Sequence, residues 1–520
     1  FVAVPAGVEA DVDRDGVIGP GERPTSDKPL RHWINDDDDS GECQERADLP
    51  GRPAGQADFS QPGIDGLRDL VDFIPINLNL AQVTNLLRPS AGFRYFVSHP
   101  ERAVQLALTG LTPTKAGAIH RDPDLKVFGP GLDGAVPAAE VLRPDSDGRI
   151  ELPATFVERI ANKGHGVILL EGARESRLPL RIEIRQGGRG VAELELPLAI
   201  GPVEAMYRHV NVCRYSYDYS GRPAPIKKPG RGQQIGEPAG LPDAETNGKW
   251  VVLVHGYNVP GDGARGWHAE TFKRLHALGS RARFVGVTWN GDTGLDYHKA
   301  VYHAFQAGDE LPRALGFLDP SRTVLIAHSL GNIVASQTVQ AGFSPARYFL
   351  LNAALPLESL TGEASLGQAA EMTEQSWRPY ARRLFASDWA KLFASADLRR
   401  SITWENCFWK VRNLNVAINC YSPGEDVTNC PTETTSASVL AMVWSGRAID
   451  YGVWKTQELL KGVGWSRSLA AIAMERTQGG WGFNPAWRGR YVPNGATKGG
   501  GGHYERLDPA AAARLTPAQL

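Results

Sequence analysis

The chain has 520 residues, a formal net charge of −2, and 42% hydrophobic against 22% charged residues. That length exceeds one ordinary domain and calls for roughly two to four, with enough chain to bury sizeable cores. A nearly balanced charge without a sustained basic stripe excludes the electrostatic footprint of a nucleic-acid binder, and no apolar run reaches the roughly 18 residues of a membrane-spanning helix. The chain begins Phe1-Val2-Ala3-Val4, without Met or a signal peptide, and reads as a processed or trimmed product. Five cysteines, an odd number, define no disulfide framework.

The first segment, 1–59, is acidic. Asp11, Asp13, Asp15 and Glu22 fall at positions 1, 3, 5 and 12 of a twelve-residue loop. Gly16 stands at position 6 for the sharp turn, and Val17 offers its carbonyl at position 7. Hard oxygen donors at these spacings wrap one Ca²⁺. The loop resembles those of EF-hand and dockerin type, without their flanking helices, and Pro20 disfavours an exit into a helix. The ion expected here is structural, and a secreted or periplasmic location is expected from this acidic calcium region rather than from the start of the chain. A second acidic run, Asp36-Asp37-Asp38-Asp39, repels itself, so it is either a solvated acidic loop or a folded one assisted by a structural metal ion; Asp65, Asp69 and Asp72 are candidates to complete such a site.

Segment 60–210 shows period-two apolar stretches at 70–80, 93–97, 103–108, 166–170, 180–184 and 191–196. Gly, Pro, Asp and Asn separate them, as between antiparallel strands. The expectation is a mainly-β, sandwich-like domain without catalytic residues. Segment 211–247, rich in Gly, Pro and Lys, reads as a linker.

From 248 to 520 the pattern changes. Strands are expected at 249–254, 282–289, 324–327, 347–351 and 414–420, and helices at 267–278, 297–315 and 332–339. Strands alternating with helices imply an α/β fold with a mainly parallel sheet covered on both faces. Catalytic groups then belong at the carboxyl ends of the strands. At one such end lies Ala327-His328-Ser329-Leu330-Gly331, a strand that turns at a serine into a helix. This is the nucleophile elbow, usually G-x-S-x-G, with Ala327 replacing the first Gly. The turn presents the Ser329 hydroxyl and puts the Leu330 amide at a helix N-terminus, where an oxyanion is stabilised. Another strand ends in His255-Gly256-Tyr257-Asn258, and the Tyr257 amide is the candidate second oxyanion donor.

On these motifs residues 246–520 resemble the α/β-hydrolase superfamily, in particular its serine esterases and lipases. The resemblance implies the chain order Ser, then Asp or Glu, then His. Of the 12 histidines only His503 follows Ser329, so it is the implied base. Asp426, in the turn after the last strand, is the implied acid, with Glu425 as runner-up, and it would hold the imidazole tautomer. Cys420 and Cys430 bracket that turn, and a disulfide between them would clamp the acid; Cys407 is an alternative partner for either, and Cys43 and Cys213 stay open. Insertions such as 357–410 form a helical cap in the family. Its aromatic residues, among them Trp377 and Trp389, and Trp289 at a strand end, are the candidate substrate contacts, although some aromatics of the cap simply pack it on the core. The resemblance implies hydrolysis of a lipid, small or polymeric carboxylic ester, with no cofactor for the chemistry. Competing expectations are an acyltransferase, thioesterase or amidase on the same fold, or a calcium-dependent interaction protein with an inactive hydrolase domain.

Overall fold

The computed structural model describes residues 7–37, 49–51, 68–122, 127–128, 140–213, 232–257, 259–293, 297–355, 359–360, 395–402, 404 and 406–420. The fold is mixed α/β with several sheets, one of them largely parallel. Two compact units emerge: one of residues 1–208, 236–247 and 265–281, the other of 209–235, 248–264 and 282–520. Among the described residues no helix is long and apolar enough to cross a membrane.

The first unit is built on two antiparallel sheets. Its strands are β1 (Gly7–Ala10), β2 (Phe73–Asn79), β3 (Phe93–Ser98), β4 (Val104–Leu108), β5 (Glu140–Leu142), β6 (Arg149–Glu151), β7 (Val167–Gly172), β8 (Leu180–Gln186) and β9 (Arg189–Leu196). One sheet has the order β1-β2-β7-β4-β5, the other β9-β8-β3-β6. Ile76, Leu106, Ile168 and Leu170 from the first sheet share one core with Val97, Ile150, Ile182 and Ile184 from the second. Phe156, Val157 and Ile160 of helix α1 (Ala154–Lys163) join that core. β8 alternates buried and half-buried residues because one face is covered. β7 is buried at every position because Val167 and Leu169 meet a further cluster with Ile18, Phe73 and Ile119. That accounts for its unbroken apolar sequence. Leu30–Trp33 and Leu198–Gly201 form a separate parallel pair in the same unit.

The second unit holds six strands, β10 (Arg208–Asn211), β11 (Trp250–Val254), β12 (Arg283–Thr288), β13 (Thr323–His328), β14 (Arg347–Leu351) and β15 (Ala417–Cys420). They are ordered β10-β12-β11-β13-β14-β15. The pairs β11/β12, β11/β13, β13/β14 and β14/β15 are all parallel. Parallel neighbours need long crossovers. In chain order helix α2 (Gly261–Ala277), which belongs to the first unit from Arg265 on, follows β11, α3 (Tyr297–Ala314) lies between β12 and β13, and α4 (Gly331–Gln340) between β13 and β14. Ala300, Val301, Ala304, Ala307 and Leu311 give α3 one apolar face at helical spacing. α4 is buried nearly all round. Gly308 of α3 lets the two helices close up, since a Cβ there would come within 2.7 Å of the Val334 carbonyl. From β11 the chain moves to β12 on one side and then to β13 on the other. The β11/β13 boundary is therefore the switch point where such sheets open a crevice at their carboxyl ends.

Candidate functional site

Both motifs converge on that boundary. Val254 pairs with Ala327, so His255-Gly256 and His328-Ser329 leave the sheet side by side. A Cβ on Gly256 would lie 3.1 Å from the Ser329 Cβ and 2.9 Å from His328 Nδ1. A larger residue there would force the His328 ring or the Ser329 turn to move. Gly331 has a matching requirement, because a Cβ there would run into the His255 carbonyl. The glycine after the serine is thus demanded by the neighbouring strand as well as by the turn.

Ser329 itself has φ = 48°, left-handed for a non-glycine residue, a conformation that costs of order 1–3 kcal/mol and persists only where the surroundings impose it. Its N–H donates to Leu351 O at 2.9 Å, and its carbonyl accepts from Asn332 N and Ala354 N at 3.1 Å each. Leu330 follows in helical conformation, fully buried, as the residue that opens α4. Tyr257 is partly buried against the core of this unit.

Trp289 lies inside the core, with 1% of its surface exposed. Its indole N–H donates to His255 O at 2.7 Å, and its backbone N–H donates to His255 Nε2 at 3.2 Å. Because Nε2 accepts, the imidazole proton sits on Nδ1 and is donated to Gly256 O at 3.0 Å. Burial pushes the His255 pKa down to about 4, so the ring is neutral near pH 7. Trp289 and His255 together brace the loop that carries Gly256 and Tyr257. Trp404 and Phe408, two aromatics of the expected cap, are buried against Phe305 with ring centroids 5.5 Å apart.

Asp426, Glu425, His503, Trp377 and Trp389 lie outside the described residues, as do Asp38, Asp39, Asp65, Cys43 and Cys430. Cys213 is a buried thiol whose pKa burial raises to about 12. Asn332 and Tyr348, which hold the elbow from behind, carried no sequence signal beyond a polar residue entering an apolar helix and a tyrosine in a buried strand.

In the first unit Asp11, Asp13 and Asp15 bring carboxylate oxygens within 4.8 Å of one another, a hard-oxygen set of the type a divalent cation takes. Asp11 accepts from Asp15 N at 3.0 Å and Gly16 N at 2.8 Å. Burial, with the charges of Glu22 and Asp15, raises its pKa to about 6. Glu22 turns its carboxylate to backbone amides, accepting from Asp13 N at 3.0 Å and Gly19 N at 2.9 Å, and from Val12 N. Val17 is exposed.

The acidic run reaches a cation supplied by the chain itself. Lys273 of α2, fully buried, places Nζ 2.6 Å from Asp37, 2.7 Å from Asp72 and 3.5 Å from Glu270. Burial alone would lower its pKa, but these three charges outweigh it and hold the ammonium well above its usual value. Trp33 Nε1 also donates to Asp72, at 2.5 Å.

No protein-family model matches the chain, and no curated protein matches it. Among solved structures it is weakly similar to one described as "Bacterial Heroin Esterase". Identity is 14%, the match covers 46% of this chain and 77% of that one, and the TM-score is 0.17. Superposition at that level says nothing about chemistry, which has to be read from the residues of this chain.

Proposed function

We propose that the chain is a serine hydrolase of carboxylic esters, with an α/β-hydrolase catalytic domain and Ser329 as nucleophile. One observation carries the reading: Ser329 sits in a left-handed turn between β13 and α4, at the sheet's switch point, against the glycine that follows β11. A hydroxyl so presented attacks an ester carbonyl, and the Leu330 and Tyr257 amides receive the oxyanion. His503, oriented by Asp426, takes the serine proton and returns it to the leaving alcohol; water then releases the acyl group with His503 again as base. These last two roles rest on chain order alone. A structural Ca²⁺ at Asp11, Asp13 and Asp15, with Val17 and Glu22, belongs to the same proposal and rests on the loop spacing.

The test is hydrolysis of p-nitrophenyl esters from acetyl to palmitoyl, with fluorophosphonate labelling alongside. Ser329→Ala should bring both to background while leaving the circular-dichroism spectrum and melting temperature in place. Undiminished turnover by that variant would remove Ser329 from the chemistry. Transfer of the acyl group to added alcohol, thiol or amine, in preference to water, would favour a transferase on the same serine.

A further inference from the structure

The left-handed conformation of Ser329 has to be imposed by its surroundings, and the neighbouring polar groups show how. The two backbone partners of its carbonyl, Asn332 N and Ala354 N, leave room for a third donor: Asn332 Nδ2 reaches the Ser329 carbonyl at 3.0 Å. The same nitrogen reaches the Ala327 carbonyl at 3.0 Å. The two hydrogens of this one amide group therefore reach the carbonyls on either side of the His328-Ser329 turn, with a longer contact to the Leu351 carbonyl at 3.4 Å.

The orientation of that amide is fixed from β14. Tyr348 Oη donates to Asn332 Oδ1 at 2.9 Å, and Ser336 Oγ lies 3.3 Å from the same phenol oxygen. Burial pushes the Tyr348 pKa up, so the phenol keeps its proton and remains a donor. With the amide flipped, Oδ1 would face two carbonyl oxygens and neither hydrogen of Nδ2 would reach them. Asn332, Ser336 and Tyr348 are all fully buried. With all three sealed from the surface, a broken link leaves a desolvated polar group.

We infer that Asn332, with its amide aimed by Tyr348, is a positioning residue for Ser329: the relay from Ser336 through Tyr348 and Asn332 to the Ala327 and Ser329 carbonyls holds the nucleophile in its left-handed turn. The catalytic consequence rests on the hydrolase reading; the backbone consequence does not. Asn332 touches no reacting atom. It acts by keeping the Ser329 hydroxyl in line with the space in front of Gly256 and the Leu330 amide. A displacement of about 1 Å at a nucleophile costs on the order of 100-fold in rate.

The experiment uses the full chain with Asn332→Asp and Tyr348→Phe. Asn332→Asp is nearly isosteric but replaces the donating nitrogen with an oxygen facing two carbonyls. Tyr348→Phe leaves both Asn332 hydrogens and removes the hydroxyl that aims them, together with its contacts to the Asn332 carbonyl at 3.2 Å and Ser336 Oγ at 3.3 Å. For p-nitrophenyl butyrate, kcat should fall about 100-fold in Asn332→Asp and about 10-fold in Tyr348→Phe, with KM within about twofold of wild type. The rate of fluorophosphonate labelling per folded molecule should fall in parallel. A purely structural role would lower the melting temperature and leave kcat per folded molecule unchanged, and that result would overturn the inference. Amide exchange at Ser329 and Ala354, measured in the same variants, separates the two readings. A wild-type protein that neither labels nor hydrolyses removes the hydrolase assignment alone. In that case faster exchange at these two amides in Asn332→Asp upholds the clamp, and exchange at the wild-type rate refutes it.

Discussion

The two units bury polar groups in opposite ways. In the first, the interior holds charges: Lys273 among Asp37, Asp72 and Glu270, and Arg68 against Glu171 at 3.1 Å with both side chains inaccessible. Asn35 also donates to Glu171, at 2.8 Å. In the second, the relay behind the elbow and the His255–Trp289 pair are neutral. A buried charge cluster holds only while each charge has its counterpart, so its energetics are dominated by what happens when one is removed. A neutral relay costs less to bury and fixes directions instead, as around the left-handed turn at Ser329. Polar burial in the first unit thus ties distant segments together, whereas in the second it sets local geometry.

The largest expected effect comes from breaking the charge cluster. Lys273→Met leaves Asp37 and Asp72 facing each other without their cation, while Glu270 keeps Arg274 at 2.8 Å, and should destabilise the first unit by about 3–5 kcal/mol. Adding Asp37→Asn and Asp72→Asn should return part of that loss. Urea unfolding read at β7 amides by hydrogen exchange checks both; a loss under about 1 kcal/mol would mean that the cluster is not compensating buried charge.

Acid should expose the neutral histidine of the second unit. The folded pKa of His255, about 4, lies below its ordinary value of 6.5. Its contribution is therefore complete above pH 6.5 and is lost as pH falls toward about 4. The shift corresponds to roughly 3 kcal/mol across that window. In His255→Gln that contribution to the pH dependence disappears, so the wild-type and variant stability curves should converge as pH falls. Parallel curves from pH 7 to pH 4 would show that His255 does not titrate as a buried neutral ring.

The smallest effect expected is that of the acidic loop. A calcium ion at 100 times its dissociation constant would add about 2.7 kcal/mol to the stability of the first unit. EDTA should lower its melting temperature accordingly, Asp11→Asn should abolish the difference, and ester turnover by the folded fraction should stay constant. An identical melting temperature in EDTA and in calcium would dispose of the ion.

Much of the second unit was legible because its strands announce themselves. Val251, Val252, Leu253 and Val254 form a run without polar interruption, as expected of a strand covered on both faces. Ser329 was legible because a tight strand-to-helix turn admits only small residues two positions to either side of its serine, and Ala327 and Gly331 stand there. Trp289 was not, because a tryptophan at a strand end reads equally as a cleft wall or as a brace, and only the His255 contacts decide. The acidic run shows the same gap. Repulsion among Asp36–Asp39 pointed to a bound metal ion, whereas the partner that Asp37 meets is Lys273, more than 200 residues away, which nothing local identified.

The sequence by itself determined the alternation of strands and helices and the strand-to-helix turn at Ser329, because each follows from the chain's local pattern of apolar, small and turn-forming residues. Only the tertiary structure decided that Gly256 faces Ser329, that Lys273 answers Asp37 and Asp72, and that Tyr348 aims the Asn332 amide. Those pairings depend on which strands become neighbours and on which side chains end up sealed from water together. Strand order and burial are properties of the packed chain, and no stretch of sequence carries them alone.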